Sequence, residues 1–171
     1  MLSLRFLVPV VLVVCALPSR AATDLVSMTV SGLKCSNTGS SPTTISLDSW
    51  AWGTANPTAA SGAGMLALNQ LTVTKVFDVC SPDMLDLYLT ESKLGTVTLT
   101  QARSTGNGTN PVLAEVVLTN AWFASYRVGG SQISPASETW ALSFDKICVT
   151  TNTQNPDGSV KQGTPVCYPG S

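Results

Sequence analysis

Leu71-Thr72-Val73-Thr74-Lys75-Val76-Phe77-Asp78 runs, after two residues, into Ser81-Pro82-Asp83-Met84-Leu85. The first part alternates at the strand period, and the reading extends it to a strand over Leu66 to Asp78. The second part changes period. Ser81 is a candidate N-cap, Pro82 suits the first helical position, and Asp83 suits the positive N-terminal end of a helix. Met84, Leu85, Tyr88 and Leu89 fall on one side of that helix, which the pattern ends near Lys93, with Gly95 beyond it.

Outward from this strand-then-helix unit, alternation dominates. Leu25 to Lys34 reads as a strand, and so does Thr43 to Trp52. In the latter, Ile45 and Leu47 share one face and Trp50 and Trp52 the other, so a bulge or sharp twist is expected between them. Gly53 to Gly64 is small, polar and proline-bearing, a loop. Gly95 to Arg103 is a strand and Ser104 to Pro111 a turn-rich loop. Val112 to Asn120 and Ala121 to Val128 are two strands or one long bent one. Gly129 to Ser137 is a loop, and Thr139 to Thr150 a strand with Trp140, Leu142 and Phe144 on one face. Many short strands and one helix imply a mainly β domain, a small antiparallel β-barrel or sandwich.

The N-terminus reads as a targeting signal. Arg5 precedes an apolar run from Phe6 to Leu17, and Ser19-Arg20-Ala21 offers small residues for cleavage. Residues 1–21 are therefore assigned as a signal peptide, with an uncleaved anchor as the alternative; no later segment is apolar and long enough to span a bilayer as a helix. The expected product is secreted and extracellular, with no membrane attachment after cleavage. It is one domain over 22–150 with an extension over 151–171.

Only 11% of residues are charged. Loss of Arg5 and Arg20 takes Lys+Arg from 9 to 7 against 10 Asp+Glu, a net charge near −3. That is too weak to imply an electrostatic partner, and no basic patch interleaved with aromatics points to nucleic acid. So sparse a charge, with Ser and Thr taking over the surface, suits a protein packed into an assembly or coated with sugar.

Cys15 leaves with the signal, and Cys35, Cys80, Cys148 and Cys167 remain. An even count on a secreted chain indicates two disulfides, for which three connectivities exist. A zinc site is the alternative, but the chain has no histidine and no C-x-x-C pair. Asn155-Pro156-Asp157-Gly158 is a turn signal. If Asp157 and Gly158 form a two-residue hairpin loop, facing residues carry numbers that add to 315, as Cys148 and Cys167 do. Side chains that oppose one another in an antiparallel pair lie near disulfide distance. Cys35 with Cys80 follows by elimination.

No catalytic constellation is found. Without histidine, Ser-His-Asp and Cys-His arrangements are impossible. Asp83 and Asp86 read as helix N-terminal charge, and Gly106-Asn107-Gly108 as a turn without phosphate-loop context. Trp50, Trp52, Trp122 and Trp140 fit core or interface packing, with a sugar-binding platform as the alternative. Asn107-Gly108-Thr109 is an N-glycosylation sequon in a surface loop, to be occupied in a eukaryotic host. No cofactor or metal is expected, and the chain is read as non-enzymatic.

Three segments in fixed order carry a resemblance: Ser49-Trp50-Ala51-Trp52-Gly53, then the Leu71 to Leu85 strand-helix unit, then Ser125-Tyr126-Arg127-Val128-Gly129-Gly130-Ser131 followed by Glu138 to Ile147. Together they resemble the haemolysin-coregulated protein (Hcp) family, tube subunits of type VI secretion, over Leu25 to Val149. The resemblance implies a small antiparallel β-barrel with one flanking helix. It also implies that six copies close into a ring and that rings stack into a tube. Gly53 to Gly64 would then match the extended loop that reaches the next ring. The signal peptide, the two disulfides and some twenty added C-terminal residues depart from the family pattern. They favour a tube or fibre assembled outside the cell, whose partner is the chain itself. The alternative is a secreted monomeric or single-ring binding or effector protein, carbohydrate-binding for example.

Overall fold

The computed structural model describes residues 23–35, 43–55, 67–105 and 110–169. The signal segment 1–21 and the Asn107 sequon lie outside them. In chain order the strands are β1 (Asp24–Val30), β2 (Thr43–Leu47), β3 (Ser49–Ala51), β4 (Thr54–Ala55), β5 (Ala67–Leu68) and β6 (Leu71–Val76). After the helix α1 (Ser81–Leu89) come β7 (Gly95–Arg103), β8 (Val112–Gly129), β9 (Ser137–Ser143), β10 (Lys146–Thr151), β11 (Thr153–Gln154), β12 (Val160–Lys161) and β13 (Val166–Tyr168). The main antiparallel sheet runs β2-β1-β7-β8-β9-β6-β3, with β10 also on β8 and β13 on β10. The expected mainly β architecture with one short helix is present, but the sheet is not closed into a barrel by hydrogen bonds. Its two ends, β2 and β3, are consecutive pieces of one segment parted at Asp48.

That parting corrects the expectation of a single strand from Thr43 to Trp52. β2 pairs with β1 and buries Ile45 and Leu47, whereas β3 pairs with β6 and half-buries Trp50. Changing partner strand at Asp48, whose N–H donates to the Thr74 carbonyl at 2.8 Å, lets both faces of the segment point inward. The expected strand over Leu66 to Asp78 is also split. β5 pairs with β4, and β6 follows separately; residues 56–66, which hold most of the expected Gly53 to Gly64 loop, lie outside the described residues.

β8 is the long bent strand. Its first half pairs with β7 and β10, and its second half with β9. Asn120 at the change of partner has φ 51°, a left-handed value that asparagine tolerates better than most residues. The expected single strand Thr139 to Thr150 must follow that bend and breaks at Phe144-Asp145. There the Asp145 N–H donates to the Thr119 carbonyl at 3.1 Å, and Asn120 Nδ2 to Asp145 Oδ2 at 3.1 Å.

Burial explains how α1 is held. Met84 is fully buried, and half-buried Tyr88 meets fully buried Trp140 edge-on with ring centroids 6.2 Å apart. Phe123 and Tyr126 stack on Trp140 from the sheet at 4.7 and 4.2 Å. Aromatic pairs at such separations add stabilisation beyond their buried area. The helix is shorter than expected, ending at Leu89, which is 69% exposed rather than on the buried side. Ser81 is not its N-cap. Cys80 occupies that position without a side-chain cap, and Ser81 is engaged elsewhere.

Candidate assembly surfaces and their support

The β6–β9 register sets Leu71, Val73 and Lys75 opposite Leu142, Trp140 and Glu138. All six are buried, so a lysine and a glutamate occupy core positions at the end of the ladder. Lys75 Nζ lies 2.6 Å from Glu138 Oε1 and 2.8 Å from Asp78 Oδ1, and donates to the Val76 carbonyl at 2.9 Å and to Ser81 Oγ at 3.1 Å. Ser81 Oγ donates to Glu138 Oε1 at 2.7 Å and accepts the Asp78 N–H at 2.9 Å. Asp78 Oδ1 accepts the Cys80 N–H at 2.9 Å. One buried cation thus ties β6, β9 and the start of α1 together. Buried charges persist only when paired and hydrogen-bonded in this way. Tyr126 lies beside the cluster; burial first, then the Glu138 charge, holds its phenol above the usual value. The Ser81–Lys75 contact presents no nucleophile, since both residues are closed to solvent and Ser81 is itself bonded to Glu138.

The sequence reading missed this cluster. Its signal was the parity of β6, which places Lys75 on the same face as Leu71 and Val73.

Outside the cluster, the same end of the sheet carries exposed apolar residues among polar ones. Val76, which ends β6, and Phe77 and Val79 in the link to α1 are 43, 47 and 53% exposed, and Val128 near the end of β8 and Ile133 between β8 and β9 are 53 and 96% exposed. The two stretches are joined by the Phe77 N–H, which donates to the Ala136 carbonyl at 2.8 Å, and by Ser137, which faces both Val76 and Gly129. The register puts Val128 on the face of Glu138 and Lys75 and Val76 on the opposite face, so these residues share one end of the sheet and present two faces there.

The four cysteines form two bonds. Cys35–Cys80 ties the chain after β1 to the start of α1, with both residues buried. Cys148 faces and bonds Cys167 in the β10–β13 ladder. The hairpin differs from the one assumed in the sequence. Thr153 pairs with Lys161 and Gln154 with Val160, numbers that add to 314, around a loop centred on Asp157. The outer pairs add to 315 because the returning strand holds one extra residue. The surplus falls near Gly163, where a Cβ would collide with the Thr151 carbonyl oxygen, so only glycine fits. Ser159 donates twice to the Asp157 carboxylate and holds it below its usual range.

Of the tryptophans, Trp140 is core, and Trp50 and Trp52 pack partly buried against it. Trp122 carries Lys93 Nζ 3.6 Å from its ring centroid and lines an open groove of about 650 Å³ with Tyr88, Gln70 and Ser143. On the helix, Asp86 is exposed and Asp83 half-buried. Among the described residues no group of three or more metal-ligating side chains converges, and no helix is long and apolar enough to cross a membrane.

The family model described as "Type VI secretion system effector, Hcp" matches residues 28–150. Similar solved structures include a type six secretion system protein, at 18% identity over 84% of this chain and 92% of that one, with TM-score 0.68. A type VI secretion system effector from Yersinia pestis aligns at 15% identity over 84 and 98%, with TM-score 0.64. Hcp1 from Salmonella typhimurium aligns at 17% identity over 85 and 93%, with TM-score 0.65. These likenesses establish the fold. No curated protein matches the chain.

Proposed function

The chain belongs to the Hcp family of type VI secretion, and on that premise we propose that it is a secreted structural protein whose copies form rings, six to a ring, stacked into an extracellular tube or fibre. In this reading residues 1–21 are removed, 22–150 form the assembling domain, and 151–171 are a disulfide-tied extension. The sheet acts as a barrel whose seam is the segment parted at Asp48. The observation that carries the proposal is the set of exposed apolar residues Val76, Phe77, Val79, Val128 and Ile133, on two faces at one end of the sheet, on a chain with few charges. A contact between two different patches of the same chain repeats head to tail, and closes into a ring when the rotation allows. The buried Lys75 cluster keeps this end in one shape.

The protein acts by packing and not by catalysis. The Gly53 to Gly64 loop supplies the ring-to-ring contact, and ordering it costs roughly 1–2 kcal/mol per residue fixed. Shortening the loop should therefore abolish filaments and leave rings, read by electron microscopy beside size-exclusion chromatography. Filaments unchanged by the shortening would overturn the stacking role. The groove at Trp122 supports a second reading as a single-ring or monomeric binding protein, for which carbohydrate is the ligand to try first.

A further inference from the structure

The chain from Thr151 onward lies beyond the matched family segment, 28–150. Its structural effect is specific. β10 pairs with β8 on one side, and β13 occupies its other side. Without β13, Ile147 to Val149 would present an open row of backbone N–H and C=O groups, a ready template for another strand.

β13 is held more by latching than by packing. It is three residues long, Val166 is 74% exposed, and the chain from Asn155 to Gln162 is exposed throughout. Half-buried Tyr168 reaches the core margin. Asn152 braces the connection, donating from Nδ2 to the Val112 carbonyl at 3.0 Å and accepting the Gly163 N–H at 3.1 Å. The Cys148–Cys167 bond is the covalent hold. The two disulfides also differ in access. Cys35 and Cys80 are 3 and 5% exposed, whereas Cys148 and Cys167 are only half-buried. A thiol in solution reaches the outer bond first.

We propose that the tail is a disulfide-latched guard on the β10 edge, and that a small thiol releases it and lets the β13 segment of a second copy take its place. The thiolate attacks one sulfur of Cys148–Cys167 and forms a mixed disulfide. A second thiol then frees the cysteine and leaves as the oxidised reagent. Two electrons and two protons end on Cys148 and Cys167. The partner is a second copy because Val166-Cys167-Tyr168 already fits this edge. Every contact made within one chain is available between two, with the connection 152–165, exposed from Asn155 to Gln162, as the hinge. Exchange with the oxidised form of the same thiol then closes Cys148 of one copy onto Cys167 of the next and regenerates the reduced thiol. This goes beyond ring formation, which need not use β10.

The test uses the mature full-length protein, with isotopically heavy and light preparations mixed at high and at low concentration. The mixtures are treated with graded glutathione and then with its disulfide. Alkylation and peptide mapping should show Cys148 and Cys167 reduced before Cys35 and Cys80. With only the outer bond open, amide hydrogen exchange over Ile147 to Val149 should accelerate at least tenfold. Heavy–light Cys148–Cys167 peptides should appear at high concentration and vanish at low. The Cys148→Ser/Cys167→Ser variant, with native far-UV circular dichroism, should show the same fast exchange without thiol. Protected Ile147 to Val149 amides in that variant, earlier reduction of Cys35–Cys80, or only intrachain peptides at every concentration would overturn the proposal. These outcomes leave ring formation untouched, so the two readings fail separately.

Discussion

Replacing Lys75 by methionine should remove a large share of the stability of this domain. Methionine keeps the length and apolar stem of the side chain, so packing changes little and the charge is what is lost. The Lys75 and Glu138 side chains are both 0% exposed, and among the ion pairs of the described residues Glu138 has Lys75 alone. Asp78, whose side chain is 40% exposed, can turn to water. The loss therefore falls on Glu138, left as a buried carboxylate beside the Ser81 and Tyr126 hydroxyls with no cation. Stripping one partner from a buried pair costs about 3–5 kcal/mol, against a total near 5–15 kcal/mol for a domain of this kind. Glu138→Leu should cost less, about 2–3 kcal/mol, because Lys75 keeps Asp78 at 2.8 Å. The double variant Lys75→Met/Glu138→Leu should recover most of the loss, since apolar residues of similar volume often replace a buried pair without penalty. The assay is urea unfolding at neutral pH with disulfides oxidised, followed by tryptophan fluorescence, to which Trp140, two positions from Glu138, contributes with Trp50, Trp52 and Trp122. At a slope of roughly 2 kcal/mol per molar urea, the Lys75→Met midpoint should fall by about 2 M. A fall under about 0.5 M, or a double variant no better than Lys75→Met, would refute the view that this cluster is a dry tie between strand and helix.

Other outcomes follow from the same structure. Phe77→Asp and Ile133→Asp should abolish assembly while shifting the urea midpoint by no more than about 0.5 kcal/mol equivalent, since both side chains face solvent in the single chain; unchanged particle size by light scattering would count against these exposed apolar residues as the contact. Opening Cys148–Cys167 by double serine substitution should cost about 2–4 kcal/mol for a loop of 19 residues, while non-reducing peptide maps of the parent show Cys35 with Cys80 and Cys148 with Cys167. Because Tyr126 is held above its ordinary value of 10.0, the folded state keeps a proton that the unfolded state gives up. Its contribution is whole below pH 10 and fades as pH rises through the folded value, so Tyr126→Phe should flatten the alkaline stability slope; identical slopes would contradict this. Secreted material should begin at or near Ala22, and in a eukaryotic host the Asn107 peptide should carry a glycan, both read by mass spectrometry.

Much of the fold was legible from period alone. β7 has the bounds expected for it, and the change from alternation to helical spacing after Asp78 places α1. What local period cannot show is where a strand changes partner. Thr43 to Trp52 and Thr139 to Thr150 each read as one strand, yet each breaks where the neighbouring sheet turns, at Asp48 and at Phe144-Asp145. The Cys148–Cys167 pairing came from an arithmetic that was wrong in its loop by one residue and restored by the surplus residue near Gly163. Ser81 looked like a cap because residue type and position suit one; a buried lysine and glutamate claimed its hydroxyl instead. That competition depends on a strand 63 residues away from Lys75, beyond the reach of local reading.

The central claim is self-assembly through the exposed apolar residues at one end of the sheet. Electron microscopy of the native secreted protein, with its disulfides intact and at high concentration, tests it most directly. Stacked rings, with Val76 to Val79 of one subunit against its neighbour, are the predicted result. A protein that stays monomeric under those conditions would contradict it and leave the groove at Trp122 as the feature to pursue.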